Sequence, residues 1–135
     1  MKDYLKLFFV ICYLATSSLH AYTDSKVGGT ITLSPEALAK GHDKGLILIE
    51  LIEKNSEKIV ARNEIQDPHF PQAFVLTAKH LVAPFVQLDG EFQIKIKYFS
   101  EKRISEKATL MGRLVSGTMA HSGQRDLVIE LFKTP

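Results

Sequence analysis

The residues best equipped for chemistry are the histidines at 20, 42, 69, 80 and 121 and the methionines Met111 and Met119. A thioether beside an imidazole suits copper, so Met119 and His121, completed by His80 or Met111, form the set that would hold such an ion in a metal-handling protein. No two histidines stand at ligand spacing, and His42 and His69 read as isolated loop residues. Hydrolysis would ask for a serine or threonine near a histidine and an acid. The adjacent pairs are His42-Asp43 and His121-Ser122, and a triad is made by geometry rather than by sequence neighbours. There is no nucleophile elbow, phosphate-cradling glycine loop or paired-carboxylate site. Glu50, Glu53 and Glu57 read as solvated edge and turn charges. The residue types point to a protein without catalysis and without a cofactor.

Binding is legible in one place. His80-Leu81-Val82-Ala83-Pro84-Phe85-Val86-Gln87-Leu88 is mostly apolar, yet it falls between two expected strands, where polar loop residues are usual. The run is either tucked over an open end of the fold or displayed to a partner. Displayed, Leu81, Val82 and Phe85 would supply apolar contact, with Lys95 and Lys97 on the neighbouring strand adding mild attraction for acidic segments.

The elements that position these residues begin after a leader. Met1 to Ala21 carries Lys2 and Lys6, then the apolar run Leu7 to Ala15, then Thr16 to Ala21, the three-part shape of a secretory signal peptide. The run is far shorter than the roughly 20 residues that span a bilayer, so cleavage after Ala21 is expected and an uncleaved anchor is the alternative. Cys12, in the leader, is the only cysteine, which leaves residues 22–135 to fold as one domain by packing alone. At 45% hydrophobic and 24% charged residues the chain is neither disordered nor membrane-embedded in type, and a net charge of +2 excludes the basic footprint of a nucleic-acid binder.

Gly29 to Leu33 alternates as a half-buried strand does. Ser34-Pro35-Glu36-Ala37-Leu38-Ala39-Lys40-Gly41 then offers an N-cap, a first-turn proline and a terminal glycine, which predicts a helix of about two turns. Leu46 to Ile52 is apolar on both faces, as a central strand is. Further strands are expected over Ile59–Glu64, Gln72–Thr77, Phe92–Ser100 and Asp126–Phe132, with one or two short pairings inside Glu101 to Gln124. The predicted core takes in Ile31, Leu33, Leu38, Leu48, Phe74, Leu76, Phe92, Ile94, Ile96, Leu127 and Ile129. About seven short strands separated by turn signals fit an antiparallel β-sandwich with one short helix after the first strand.

The segment Gly29-Thr30-Ile31-Thr32-Leu33-Ser34-Pro35-Glu36-Ala37-Leu38-Ala39 resembles the opening of the Ig-like C-terminal domain of the cytochrome c-type biogenesis protein H family. The order of later pieces is similar too: Leu46 to Ile52, Phe74-Val75-Leu76, Pro84, Ile94 to Ser100, Gly112 and Leu127 to Leu131. The resemblance covers about Val27 to Phe132. It implies an Ig-like domain, in that family one that follows membrane helices and a repeat segment; here the leader leads us to expect it as a stand-alone, exported, monomeric domain in the periplasm. It also implies a binding or accessory role in cytochrome c maturation, with apocytochrome c or a haem-attachment component as the protein partner.

Overall fold

A computed structural model describes residues 26–42, 44–82, 90–115, 117 and 119–134. The leader and Phe85 lie outside the described residues. Eight strands run in chain order: β1 Val27–Leu33, β2 Leu46–Glu53, β3 Ile59–Gln66, β4 Gln72–Leu76, β5 Glu91–Phe99, β6 Leu110–Leu114, β7 Ala120–His121 and β8 Leu127–Phe132. Among the described residues no helix is long and apolar enough to cross a membrane.

The expected β class holds, but the pairing differs from an antiparallel sandwich. The strands form one mixed sheet in the order β3-β2-β5-β6-β8-β1-β4, with β7 added to one end of β5. β1 lies parallel to β8, Gly29 opposite Leu127 through Leu33 opposite Leu131, and antiparallel to β4 on its other side. The two ends of the path, β3 and β4, are joined by a short connection and touch, so the sheet curls almost into a barrel. No periodicity in the sequence reveals a parallel partner 97 residues away, where the Thr32 hydroxyl donates to the Ile129 carbonyl.

Alternation sets what is inside. Ile31, Ile47, Ile49, Phe92, Ile96, Tyr98 and Ile129 are all buried in one cluster within the curl. Each large apolar side chain removed from water in this way contributes about 1.5–3 kcal/mol before the entropy of ordering is charged against it. β2 is apolar on both faces because it serves two clusters: Ile47, Ile49 and Leu51 point inward, while Leu46 and Leu48 meet Phe99 and Ala108 on the outer face. Leu48 is therefore buried, but outside the main core. Ile94 and Leu33 are half-buried and pack against that core.

The two-turn helix is shorter than predicted. α1 spans only Pro35–Leu38, capped at Ser34, whose hydroxyl accepts from the Ala37 amide at 3.2 Å. Ala37 is the residue it buries, whereas Leu38 is 64% exposed and is not a core residue. One turn follows from the end of β1: Ser34 donates its amide to Leu131, and this anchors the start of the turn, leaving Leu38 on the free side. The segment Glu101 to Gln124, where one or two short pairings are expected, contains the strands β6 and β7.

Candidate functional site

Two surface features collect polar groups around a concavity. The first is a groove of about 430 Å3 along the outer side of β3, lined by Arg62, Asn63, Glu64, Lys79, His80, Leu81 and Val82. A 3-10 turn, Ala78–His80, feeds it. Thr77 caps that turn by accepting from Lys79, and the Thr77 amide donates to Nδ1 of His80 at 3.0 Å, a capping box that fixes the ring. Leu81 then bridges to Ala61 in antiparallel fashion, and the Val82 amide donates to the Val60 carbonyl at 3.1 Å. Chain direction is thereby set along the β3 edge.

The predicted partner-contact residues divide accordingly. Leu81 is half-buried against the main core, so it is tucked, while Val82 is 51% exposed beside the groove. Lys95 and Lys97 project from the outer face of β5, Lys95 exposed and Lys97 half-buried. Register places Lys95 opposite Glu50, and Glu50 opposite Arg62 on β3. The lysines thus sit two strands in from the groove, roughly 10 Å at the usual strand spacing. Glu50 is not the solvated edge charge its sequence suggests: it is buried in the middle of this row, flanked by two cations across the strands. A buried carboxylate is tolerated where opposite charge adjoins it.

Strand parity decides what the β3 edge offers. Since the Val60 carbonyl faces outward to Val82, the main-chain groups of Glu64 and Gln66 face the same way, and those of Ala61, Asn63 and Ile65 face β2. Among the described residues neither Glu64 nor Gln66 has a main-chain partner on that side.

The copper set is not gathered. His121 lies opposite Glu91 at one end of β5 and Met111 opposite Lys97 toward the other, six residues along the strand. That separation is about 20 Å at strand rise. His80 is held in its capping box on the far side of β2 and β3. Among the described residues no group of three or more His, Cys, Asp or Glu side chains is placed to hold a metal ion.

The second feature is a cavity of about 130 Å3 where α1, the loop after it, and the ends of β6 and β8 converge. Ala37 and Leu110 form its apolar wall, His42 and Thr109 its polar one, and Glu36, Lys40 and Lys133 its charged surround. The loop is pinned from below. The Tyr98 hydroxyl donates to the Lys44 carbonyl, and Gly45, at a φ of 125°, lets the chain pass where a Cβ would strike the Phe99 carbonyl and the Tyr98 hydroxyl. His42 rests edge-on against the Tyr98 ring, centroids 5.2 Å apart at 76°.

Burial, and then the nearby Lys40 charge, hold the His42 imidazole below its ordinary pKa of 6.5, so it is neutral at neutral pH. Its Nε2 is buried without a hydrogen-bond partner, the one such side-chain atom among the described residues. The Thr109 hydroxyl beside it bonds elsewhere, donating to Ser100 Oγ and accepting from the Ser100 amide, both at 3.1 Å. Sequence reasoning treated His42 as an isolated loop histidine and missed the cavity. The signal that was available is Gly41 and Gly45 bracketing it, a tight loop that turns the ring inward.

Compared with protein-family models, with curated proteins and with solved structures, the chain matches none.

Proposed function

We propose that this chain is a non-catalytic binding module that takes an extended segment of a partner protein along the outer edge of β3. The observation that supports it is that, among the described residues, the outward main-chain groups of Glu64 and Gln66 have no partner, in line with the groove beside Leu81 and Val82. A segment added there gains main-chain hydrogen bonds, and its alternate side chains fall into the groove. Arg62 and Lys79 outweigh Glu64 at the groove, and Lys95 and Lys97 lie further in on the outer face, which together favour acidic side chains in the partner. Leu81 acts as support from the core side and Val82 as contact.

From the family resemblance we infer the partner: an unfolded segment of apocytochrome c, or a component of the haem-attachment machinery, met in the periplasm by a monomeric domain whose leader has been removed. On the same reading the curled sheet is a variant of the Ig-like sandwich, with its first and last strands joined in parallel.

Titration calorimetry with an unfolded apocytochrome c segment tests the proposal. Affinity of about micromolar strength or weaker is expected, because a small surface must offset the ordering of a disordered chain. Glu64→Pro removes an outward-facing amide without touching the β2 ladder, so it should weaken binding at least about tenfold with little change in thermal stability. Unchanged affinity in that variant would sink the edge-pairing reading.

A further inference from the structure

Toward its start the β3 edge is already in use. Leu81 bridges to Ala61 and the Val82 amide donates to the Val60 carbonyl, so the chain occupies that stretch of the edge itself. An extended segment laid on Glu64 and Gln66 cannot continue toward Val60, because Leu81 and Val82 stand in its line. Such a segment has to end or turn away there, and the groups at the stop decide between the two.

Arg62, Lys79 and His80 line the groove at that point. Nδ1 of His80 accepts from the Thr77 amide, so in that bond the ring carries its proton on Nε2, at the opposite side of the ring. His80 is half-buried, and its Nε2 is neither closed off from solvent nor partnered among the described residues. The capping box therefore holds one N–H donor in a fixed orientation at the groove. Arg62 and Lys79 set two cations against the single carboxylate of Glu64, which Arg62 approaches at 3.4 Å. Lys79 is in no ion pair among the described residues. A strand stop furnished with donors and excess positive charge suits a chain end that is itself an anion.

We propose that the groove recognises the free C-terminus of its partner, the α-carboxylate held between Arg62, Lys79 and His80 Nε2–H. The inference rests on pairing along β3 and adds the end and the direction of the segment. The partner runs antiparallel to β3, with its last residue opposite Glu64 and its third from last opposite Gln66. The outward Glu64 amide then donates to the terminal carboxylate as well. An acidic side chain could lie anywhere along the partner, whereas the chain end can lie only at the stop.

The probe is N-acetyl-Thr-Val-Thr-Val with a free C-terminal carboxylate, compared with the same peptide as its C-terminal amide. Nuclear magnetic resonance titration follows the amides of Glu64 and Gln66 and the ring of His80. The acid should shift these signals saturably, and the amide should bind about fivefold or more weakly. Lys79→Gln and His80→Gln should each narrow that difference, the latter with the turn intact because glutamine can take the same capping position. Lys40→Gln, beside the helix, should behave as the parent protein, and Glu64→Pro should remove binding of both peptides. Equal binding of acid and amide, lost for both in Glu64→Pro, would overturn recognition of the chain end and leave edge pairing standing. Binding of the acid that survives Glu64→Pro, or no saturable shift with either peptide, would overturn edge pairing and this inference with it.

Discussion

At the scale of single residues, His42 and Ile96 make the sharpest predictions. The folded protein disfavours the charged imidazole of His42, whereas the unfolded chain takes up its proton near the ordinary value of 6.5. Stability is therefore complete above that pH and declines as the pH falls through the window between the two values. Replacing His42 by Asn should flatten this stretch of the stability profile, measured by urea unfolding at a series of pH values. Asp67 and Glu91 act lower on the scale. Hydrogen bonds from Lys102 and Lys54 hold their carboxyls below the usual range, so what they contribute is present above it and lost only in stronger acid. Ile96, 1% exposed at the centre of β5, should cost about 2–5 kcal/mol when cut back to Ala, read from the shift of a denaturation midpoint. A loss below about 0.5 kcal/mol would mean that β5 presents its other face to the core.

At the scale of elements, the junction of β1 and β8 is the test piece. Gly29 lies so near the Leu127 backbone that a Cβ would overlap it. Gly29→Ala should therefore cost about 1–3 kcal/mol as the two strands are forced apart, and amide exchange should quicken along β8 before it does along β2. The same junction marks how far the sequence could be read. Alternation at Phe92, Ile94, Ile96 and Tyr98 identified β5 and its inward face, and the doubly apolar Leu46 to Ile52 identified β2 as an interior strand. Those signals are local, set by which side of one strand is dry. Which strand lies beside which depends on distant contacts, so the parallel pairing of β1 with β8 left no mark. Leu38 misled for a related reason: an apolar residue on a single-turn helix has only one face to choose, and Ala37 took it. The groove residues Leu81 and Val82 were legible as an apolar run out of place, and their split into one buried and one exposed member was not. The His42 cavity draws its wall from four places in the chain, and no spacing rule connects them.

At the scale of the whole molecule, the balance of forces is apolar rather than ionic. Pairs such as Lys54–Glu91 at 3.0 Å and Lys102–Asp67 at 2.9 Å join side chains that are about half exposed. Exposed pairs of this kind contribute little and are screened by salt. Raising sodium chloride from about 0.05 to about 0.5 M should thus move the unfolding free energy by less than about 1 kcal/mol, as followed by circular dichroism. A larger fall would assign the buried Glu50 row, rather than the core, a leading share of the stability.

The pairing of the earliest strand with the latest also governs time. While the chain is being made, β1 can meet β4 early but must wait for β8, and the loop it has to close spans nearly all the residues between them. Closing so long a loop costs entropy before any contact repays it, which places this fold among the slow folders for its size. Until β8 arrives, both β1 and β6 carry unsatisfied edges, and the nascent chain is open to capture by whatever binds extended backbone. A newly synthesised molecule is thus, for its first moments, the kind of client that its mature form is proposed to bind.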